Sequence, residues 1–194
     1  MLMAGRMLWH KGVEVREFVE AARQVRRRFP LATFLLVGPS DEGNPALVPP
    51  AALRAWEAEG FVRYLSPRND VRDLMALADL VVLPTYREGL PWVLVEAAMG
   101  KPLVATDMPG CRELVQPGVN GLLVPPRDAP ALAEAVERLL ADPEQRASFG
   151  MASRALAEAK FSDRQVVGQI LALYAALLEA KGIPTPPGFR EAAA

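Results

Sequence analysis

Glu88 and Glu96 are the residues of this chain whose type and spacing most readily do chemistry. They stand in a stretch, Leu80 to Pro102, that reads as a buried strand, a polar loop and an apolar helical segment closing at Gly100. In an open parallel sheet, helix N-termini converge at the carboxyl ends of the strands, and ligands bind there. Gly89 lets the backbone come close to a ligand, and the N–H groups around Gly89 and Leu90 favour an anion. Pro91 suits the first turn of the helix, where its missing N–H costs nothing. Glu96 lies eight residues beyond Glu88. At ~1.5 Å of helical rise per residue, that is roughly 12 Å, about the span from a sugar across a diphosphate to a ribose.

Each of these residues also has a plainer reading. Glu88 fits a solvated loop charge or a partner of the helix dipole. Glu96 sits among Val93, Leu94, Val95, Ala97 and Ala98, and an ionised carboxylate on so apolar a helix needs a partner. A polar ligand and an arginine from a neighbouring loop both answer that need. Arg6 and Lys11 flank the loop after the first strand. From the same carboxyl edge they could clamp a diphosphate, Arg6 by a bidentate fork and Lys11 as a point charge; taken alone, they fit a solvated loop equally well. Arg68, after the third strand, faces either a nucleobase or water. Trp92 is close enough to line the site, although tryptophans more often pack. Cys111 follows Gly110 at the start of a short helix, where a thiolate could be favoured; it is assigned no role.

Other chemistries find little support. The Gly-x-Gly-x-x-Gly fingerprint and the P-loop pattern are missing after the first strand, against a dinucleotide-dependent dehydrogenase or an NTPase. His10 is the single histidine and Cys111 the single cysteine, which leaves no His/Cys set for a metal cluster. A net charge of −1 argues against a globally basic nucleic-acid surface. One unpaired cysteine suits the cytosol. No apolar run approaches the ~18 residues of a membrane span, and Met1 leads straight into a strand pattern rather than a signal peptide.

The elements that must position these residues follow from periodicity. Strand patterns fall at Leu2–Gly5, Thr33–Gly38, Val62–Leu65, Leu80–Leu83, Pro102–Thr106 and Leu122–Val124. Between them, Val15, Phe18, Val19, Ala22, Val25 and Phe29 recur at helical spacing, and further helices are expected at 51–58, from an Asp70 cap through Ala78, after Pro91 and at 111–115. Asp128, Asp142 with Pro143, and Ser162 with Gln165 mark three helix starts near the carboxyl terminus. Strands alternating with helices predict an α/β fold, one doubly wound, six-stranded parallel sheet of Rossmann-like type. With 194 residues, 51% of them hydrophobic, one domain over residues 1–182 is expected, with a proline-rich flexible tail at 183–194.

Gly5-Arg6, Lys11-Gly12, Glu88-Gly89-Leu90-Pro91 with Glu96, Pro109-Gly110-Cys111-Arg112-Glu113 and Asn120-Gly121-Leu122-Leu123-Val124-Pro125 occur in an order that resembles the donor-binding, carboxyl-terminal half of the retaining GT-B glycosyltransferases of family 4. The resemblance covers residues 2 to 175. It implies that Arg6 and Lys11 hold the donor diphosphate and stabilise its departure, with Glu88 on the donor-sugar hydroxyls. Backbone at Gly89, Leu90 and Pro91 would lie beside the sugar, Glu96 would take the ribose hydroxyls, and the loop at Ser66–Arg68 would lie against the base. The loop at Gly43-Asn44-Pro45 resembles bacterial members that build surface polysaccharide from UDP-sugars.

The resemblance further implies retention without a metal or other cofactor, a nucleotide-sugar donor, and an acceptor that is a lipid-linked sugar or an oligosaccharide. It implies a cytoplasmic place, with the full-length protein peripheral at the inner membrane face. This sequence departs from the family pattern in three ways. Three residues, Ala97-Ala98-Met99, precede Gly100 where the family has four, and Ser66-Pro67 replaces a glycine after the third strand. The third departure is the family's amino-terminal half, which carries the acceptor site and usually a catalytic histidine and has no counterpart here; His10 does not match it. The expectation is therefore half an enzyme, whose partner is that acceptor domain. A non-catalytic sugar-nucleotide binding module and half of a GT-B sugar-nucleotide epimerase are the rivals, and the glutamate spacing favours the transferase.

Overall fold

The computed structural model describes residues 1–5, 7, 15–40, 43–186 and 189. Six strands, β1 (Leu2–Ala4), β2 (Phe34–Val37), β3 (Val62–Leu65), β4 (Val81–Leu83), β5 (Leu103–Thr106) and β6 (Gly121–Val124), form one sheet. All are parallel, in the order β3-β2-β1-β4-β5-β6. Residues of β1, β4 and β5 are buried throughout, as strands covered by helices on both faces must be. The α/β, Rossmann-like expectation holds.

Among the described residues, eight helices connect or follow the strands: α1 (Val15–Arg28), α2 (Pro50–Ala58), α3 (Val71–Leu77), α4 (Trp92–Ala97), α5 (Pro109–Arg112), α6 (Ala129–Ala141), α7 (Pro143–Phe161) and α8 (Asp163–Ala180). The apolar stripe of α1 buries Val15, Phe18, Val19, Ala21, Ala22 and Val25. Phe18 meets Phe34 of β2 edge to face at 5.3 Å between ring centres, and α1 packs against α6.

The caps form where the sequence placed them, with one exception. Asp128 accepts from the Ala131 N–H at 2.8 Å, Asp142 from Gln145 at 2.8 Å, and Ser162 from Gln165 at 3.3 Å. Asp70 occupies the N-cap of α3 without a capping bond. Its two carboxylate oxygens accept instead from the Arg68 fork at 2.6 and 2.5 Å, a charge-assisted bidentate pair that outcompetes one backbone N–H.

The chain forms two compact units, Met1–Arg154 and Ala155–Ala194. The first holds the whole sheet. In the second, α8 leaves Val166, Val167, Ile170, Leu173, Tyr174 and Leu177 exposed. The tail expected to be flexible lies mostly outside the described residues. Among the described residues, no helix is long and apolar enough to cross a membrane.

Candidate functional site

Strand order reverses between β1 and β4. The connection after β1 turns toward β2, whereas those after β4 and β5 run to the opposite edge. A crevice opens at such a reversal, outside the carboxyl ends of the two strands. The loop from Pro84 to Pro91, which carries Glu88 and Gly89, leaves β4 at that point. β1 ends at Ala4 on the other side of the reversal, and α1 begins at Val15. Arg6, Lys11, Trp9 and His10 themselves lie outside the described residues.

The β4–α4 loop is locked to β5. Thr85 is fully buried, and its N–H donates to Thr106 Oγ1 at 3.0 Å. The Thr106 hydroxyl returns a hydrogen bond to the Thr85 carbonyl oxygen. Gly110, at the start of α5, lies directly against the loop. A Cβ there would stand 2.3 Å from the Gly89 carbonyl oxygen and 2.6 Å from that of Glu88. Gly89 faces the other way, with nothing within 4 Å of where its Cβ would be. The loop is thus braced from beneath and open above.

Glu88 is half-buried, and its charge is felt by Cys111. That thiol is fully buried. Desolvation first, then the nearby carboxylates of Glu88 and Asp107, push its pKa up to about 11, against a hydrogen bond from Thr106 that lowers it. The helix start does not favour a thiolate here: burial outweighs it, and α5, with four residues, has little dipole to offer.

Two further expectations change. Pro91 is the N-cap of α4, in extended conformation (φ −75°, ψ 102°), rather than its first helical residue. The helix covers only Trp92–Ala97, so Glu88 lies outside it. Only the step from Trp92 to Glu96 is helical, about 6 Å of rise, and the 12 Å helical separation does not apply. Glu96 is exposed while Leu94, Val95, Ala97 and Ala98 are buried. The apolar neighbours occupy the core face, so the carboxylate has water and needs no protein partner. Trp92, one turn earlier, is 71% exposed on the same face.

Arg68 is exposed and paired with Asp70, so its guanidinium is engaged in its own loop. At the end of β5, Asp107 likewise accepts from Arg112 at 2.6 Å. Each arginine holds its carboxyl partner below the usual range.

Sequence reasoning missed a cluster on the α1 side of the loop. The Tyr86 hydroxyl donates to Glu17 Oε1 in the first turn of α1. The Arg127 guanidinium stands over the Tyr86 ring, 4.9 Å from its centre. Arg127 is the non-glycine residue with positive φ, 62°, among the described residues. A tyrosine next to a candidate loop and a charged residue just before the Asp128 cap were the signals available, but no spacing rule joins positions so far apart.

Comparison with known proteins bears on what this arrangement is. The family profile described as "Glycosyl transferases group 1" matches residues 1–142. An N,N'-diacetylbacillosaminyl-diphospho-undecaprenol α-1,3-N-acetylgalactosaminyltransferase from Campylobacter jejuni is 36% identical over 170 residues, 87% of this chain and 42% of that protein. The α-D-kanosaminyltransferase of Streptomyces kanamyceticus is 33% identical over 175 residues, 90% of this chain and 45% of its own length. Among solved structures, HepE of Anabaena in complex with UDP superposes with a TM-score of 0.80 at 29% identity, covering 90% of this chain and 48% of that one. The chain therefore spans a little under half the length of each of these three.

Proposed function

The chain belongs to the group 1 glycosyl transferases, and from that premise we propose that it is the donor-binding half of a retaining GT-B glycosyltransferase. Its donor is a nucleotide-sugar, a UDP-sugar by the likeness to UDP-bound HepE. Its pathway is bacterial surface polysaccharide or glycoconjugate synthesis, by the likeness to the Campylobacter enzyme.

The observation that carries this reading is the braced loop at the strand-order reversal, which carries Glu88 and leaves open space at Gly89. In this reading Arg6 and Lys11 neutralise the diphosphate and stabilise the charge that develops as it leaves, electrostatic stabilisation by groups already in place. Glu88 accepts hydrogen bonds from the sugar hydroxyls, the backbone at Gly89, Leu90 and Pro91 lies beside the sugar, and Glu96 accepts from the ribose. Arg68 reaches the base only by giving up Asp70. No metal or other cofactor is called for, because two cationic side chains already balance a diphosphate. The acceptor, a lipid-linked sugar or an oligosaccharide, is presented by the other half of the full-length protein, which works in the cytoplasm at the inner membrane face.

Calorimetric titration of the chain with UDP and with UDP-sugars is the test. Saturable binding that weakens in both Arg6→Ala and Lys11→Ala is expected. Loss of one charge-assisted contact should cost ~1.5–3 kcal/mol. A chain that binds no nucleoside diphosphate overturns the reading.

A further inference from the structure

We infer that Tyr86 is a positioning residue for the Arg87–Glu88–Gly89 loop, held between Arg127 and Glu17; its link to the donor sugar rests on the donor-site reading above. Thr85 and Thr106 fix the loop where it leaves β4, and Gly110 supports it from below. Neither contact restrains it on the side of α1. Tyr86 supplies that restraint.

Three features of the cluster go beyond ordinary packing. First, Glu17 sits in the first turn of α1, and its neighbours Val15, Phe18 and Val19 are buried, so the acceptor end of the hydrogen bond is anchored in the core. The movable end is the loop. Second, Glu17 Oε2 is buried and receives no hydrogen bond among the described residues. A carboxylate held with one oxygen unsatisfied is a poor way to gain stability. Third, Arg127 keeps a left-handed backbone conformation that glycine would adopt at lower cost. What an arginine adds there is the guanidinium over the Tyr86 ring. Strain retained beside a functional loop points to a role for the residue that bears it.

The arrangement gives Tyr86 a fixed hydroxyl and a fixed ring face. Glu88 follows two residues later, so a backbone shift at Tyr86 is passed along the chain to Glu88. α1 is held by its own core contacts, so releasing Tyr86 should disturb the sugar side of the site and leave the diphosphate side in place.

Arg87 provides a ligand-free readout, because trypsin cuts the Arg87–Glu88 bond only when the loop opens. In Tyr86→Phe, cleavage at Arg87 is expected to rise at least fivefold while cleavage at Arg63 in β3 stays at the native rate. UDP-glucose affinity should fall at least fivefold in the same variant, with UDP affinity within twofold of the native chain. Glu17→Leu should reproduce both effects, and the double variant should be no worse than either single one. Glu17→Gln keeps an acceptor for the hydroxyl and should restore native behaviour. Unchanged cleavage at Arg87, or an equal rise at Arg63, overturns the positioning role. An equal loss of UDP and UDP-glucose overturns its assignment to the sugar side. If the native chain binds neither nucleotide, the donor reading falls, and cleavage at Arg87 alone decides the role of Tyr86.

Discussion

Gly110 lies so close beneath Gly89 that a single added Cβ would stand 2.3 Å from the Gly89 carbonyl oxygen. The opposing atoms are backbone, so nothing flexible can yield, and the loop or α5 must shift. Gly110→Ala should cost about 1–3 kcal/mol, as overpacking does, and should weaken UDP-sugar binding more than UDP binding. Thermal unfolding and calorimetry on the one variant measure both. An unchanged melting temperature would show that the brace is loose.

Gly89 gives the opposite expectation. Nothing lies within 4 Å of its Cβ direction, and its φ is not positive. Gly89→Ala should therefore leave stability within about 0.5 kcal/mol. If a donor occupies the open side, the same methyl group meets the ligand and affinity falls. Native affinity in a stable Gly89→Ala chain would place the ligand elsewhere.

These two glycines show where the sequence was legible. Both stand in motifs that marked the site, yet their roles differ because one faces a protein backbone and the other faces space. That difference lies in long-range packing. The strands were readable because parallel strands buried on both faces must be continuous apolar runs, as in Phe34–Val37 and Val81–Leu83. The caps at Asp128 and Ser162 were readable because capping is local. Asp70 defeated the same rule, because Arg68, two residues away, offered a stronger partner. Glu96 looked in need of a partner because its neighbours are apolar, but a short helix gives those neighbours one face and the carboxylate the other. The Tyr86–Glu17 bond joins positions 69 residues apart, and nothing in the local pattern announces it.

The two glutamates should separate by ligand. Glu96→Ala is expected to weaken UDP and UDP-glucose alike, because the ribose is common to both. Glu88→Ala should weaken UDP-glucose by tenfold or more, roughly one charge-assisted hydrogen bond, and leave UDP nearly unchanged. Glu96 is exposed, so its removal should hardly alter the melting temperature, and a loss of affinity cannot be blamed on unfolding. Identical behaviour of the two variants with both ligands would reverse or remove the assigned orientation.

Cys111 predicts a pH dependence with a definite sign. The folded thiol is raised to about 11 from an ordinary value of 9.0. Above pH 9 the unfolded chain releases the proton and the folded chain does not, so stability is full below pH 9 and declines between pH 9 and 11. The loss amounts to as much as ~2–3 kcal/mol. Urea unfolding of the native chain and of Cys111→Ala across this range should show their stabilities converging as pH rises. A difference independent of pH would mean that the thiol titrates freely in the folded state. Iodoacetamide at pH 8 should leave the native thiol unmodified, since the thiolate is the nucleophile.

The final prediction concerns transfer. Joining two sugars requires donor and acceptor in one geometry, and positioning of that kind supplies much of an enzyme's rate. The chain spans 42% and 45% of the two transferases compared with it, and its braced loop opens outward at the carboxyl ends of the central strands, where water would screen a diphosphate. The 194-residue chain should therefore bind a UDP-sugar yet transfer it to no acceptor, with slow donor hydrolysis as the most it achieves. Supplying an amino-terminal half, fused or in trans, should bring transfer, and Glu88→Ala should abolish it again. The measurement is the release of UDP set against the appearance of glycosylated lipid-linked or oligosaccharide acceptor. Saturable transfer by the 194-residue chain alone would place the acceptor site within it and overturn the division of labour between two halves.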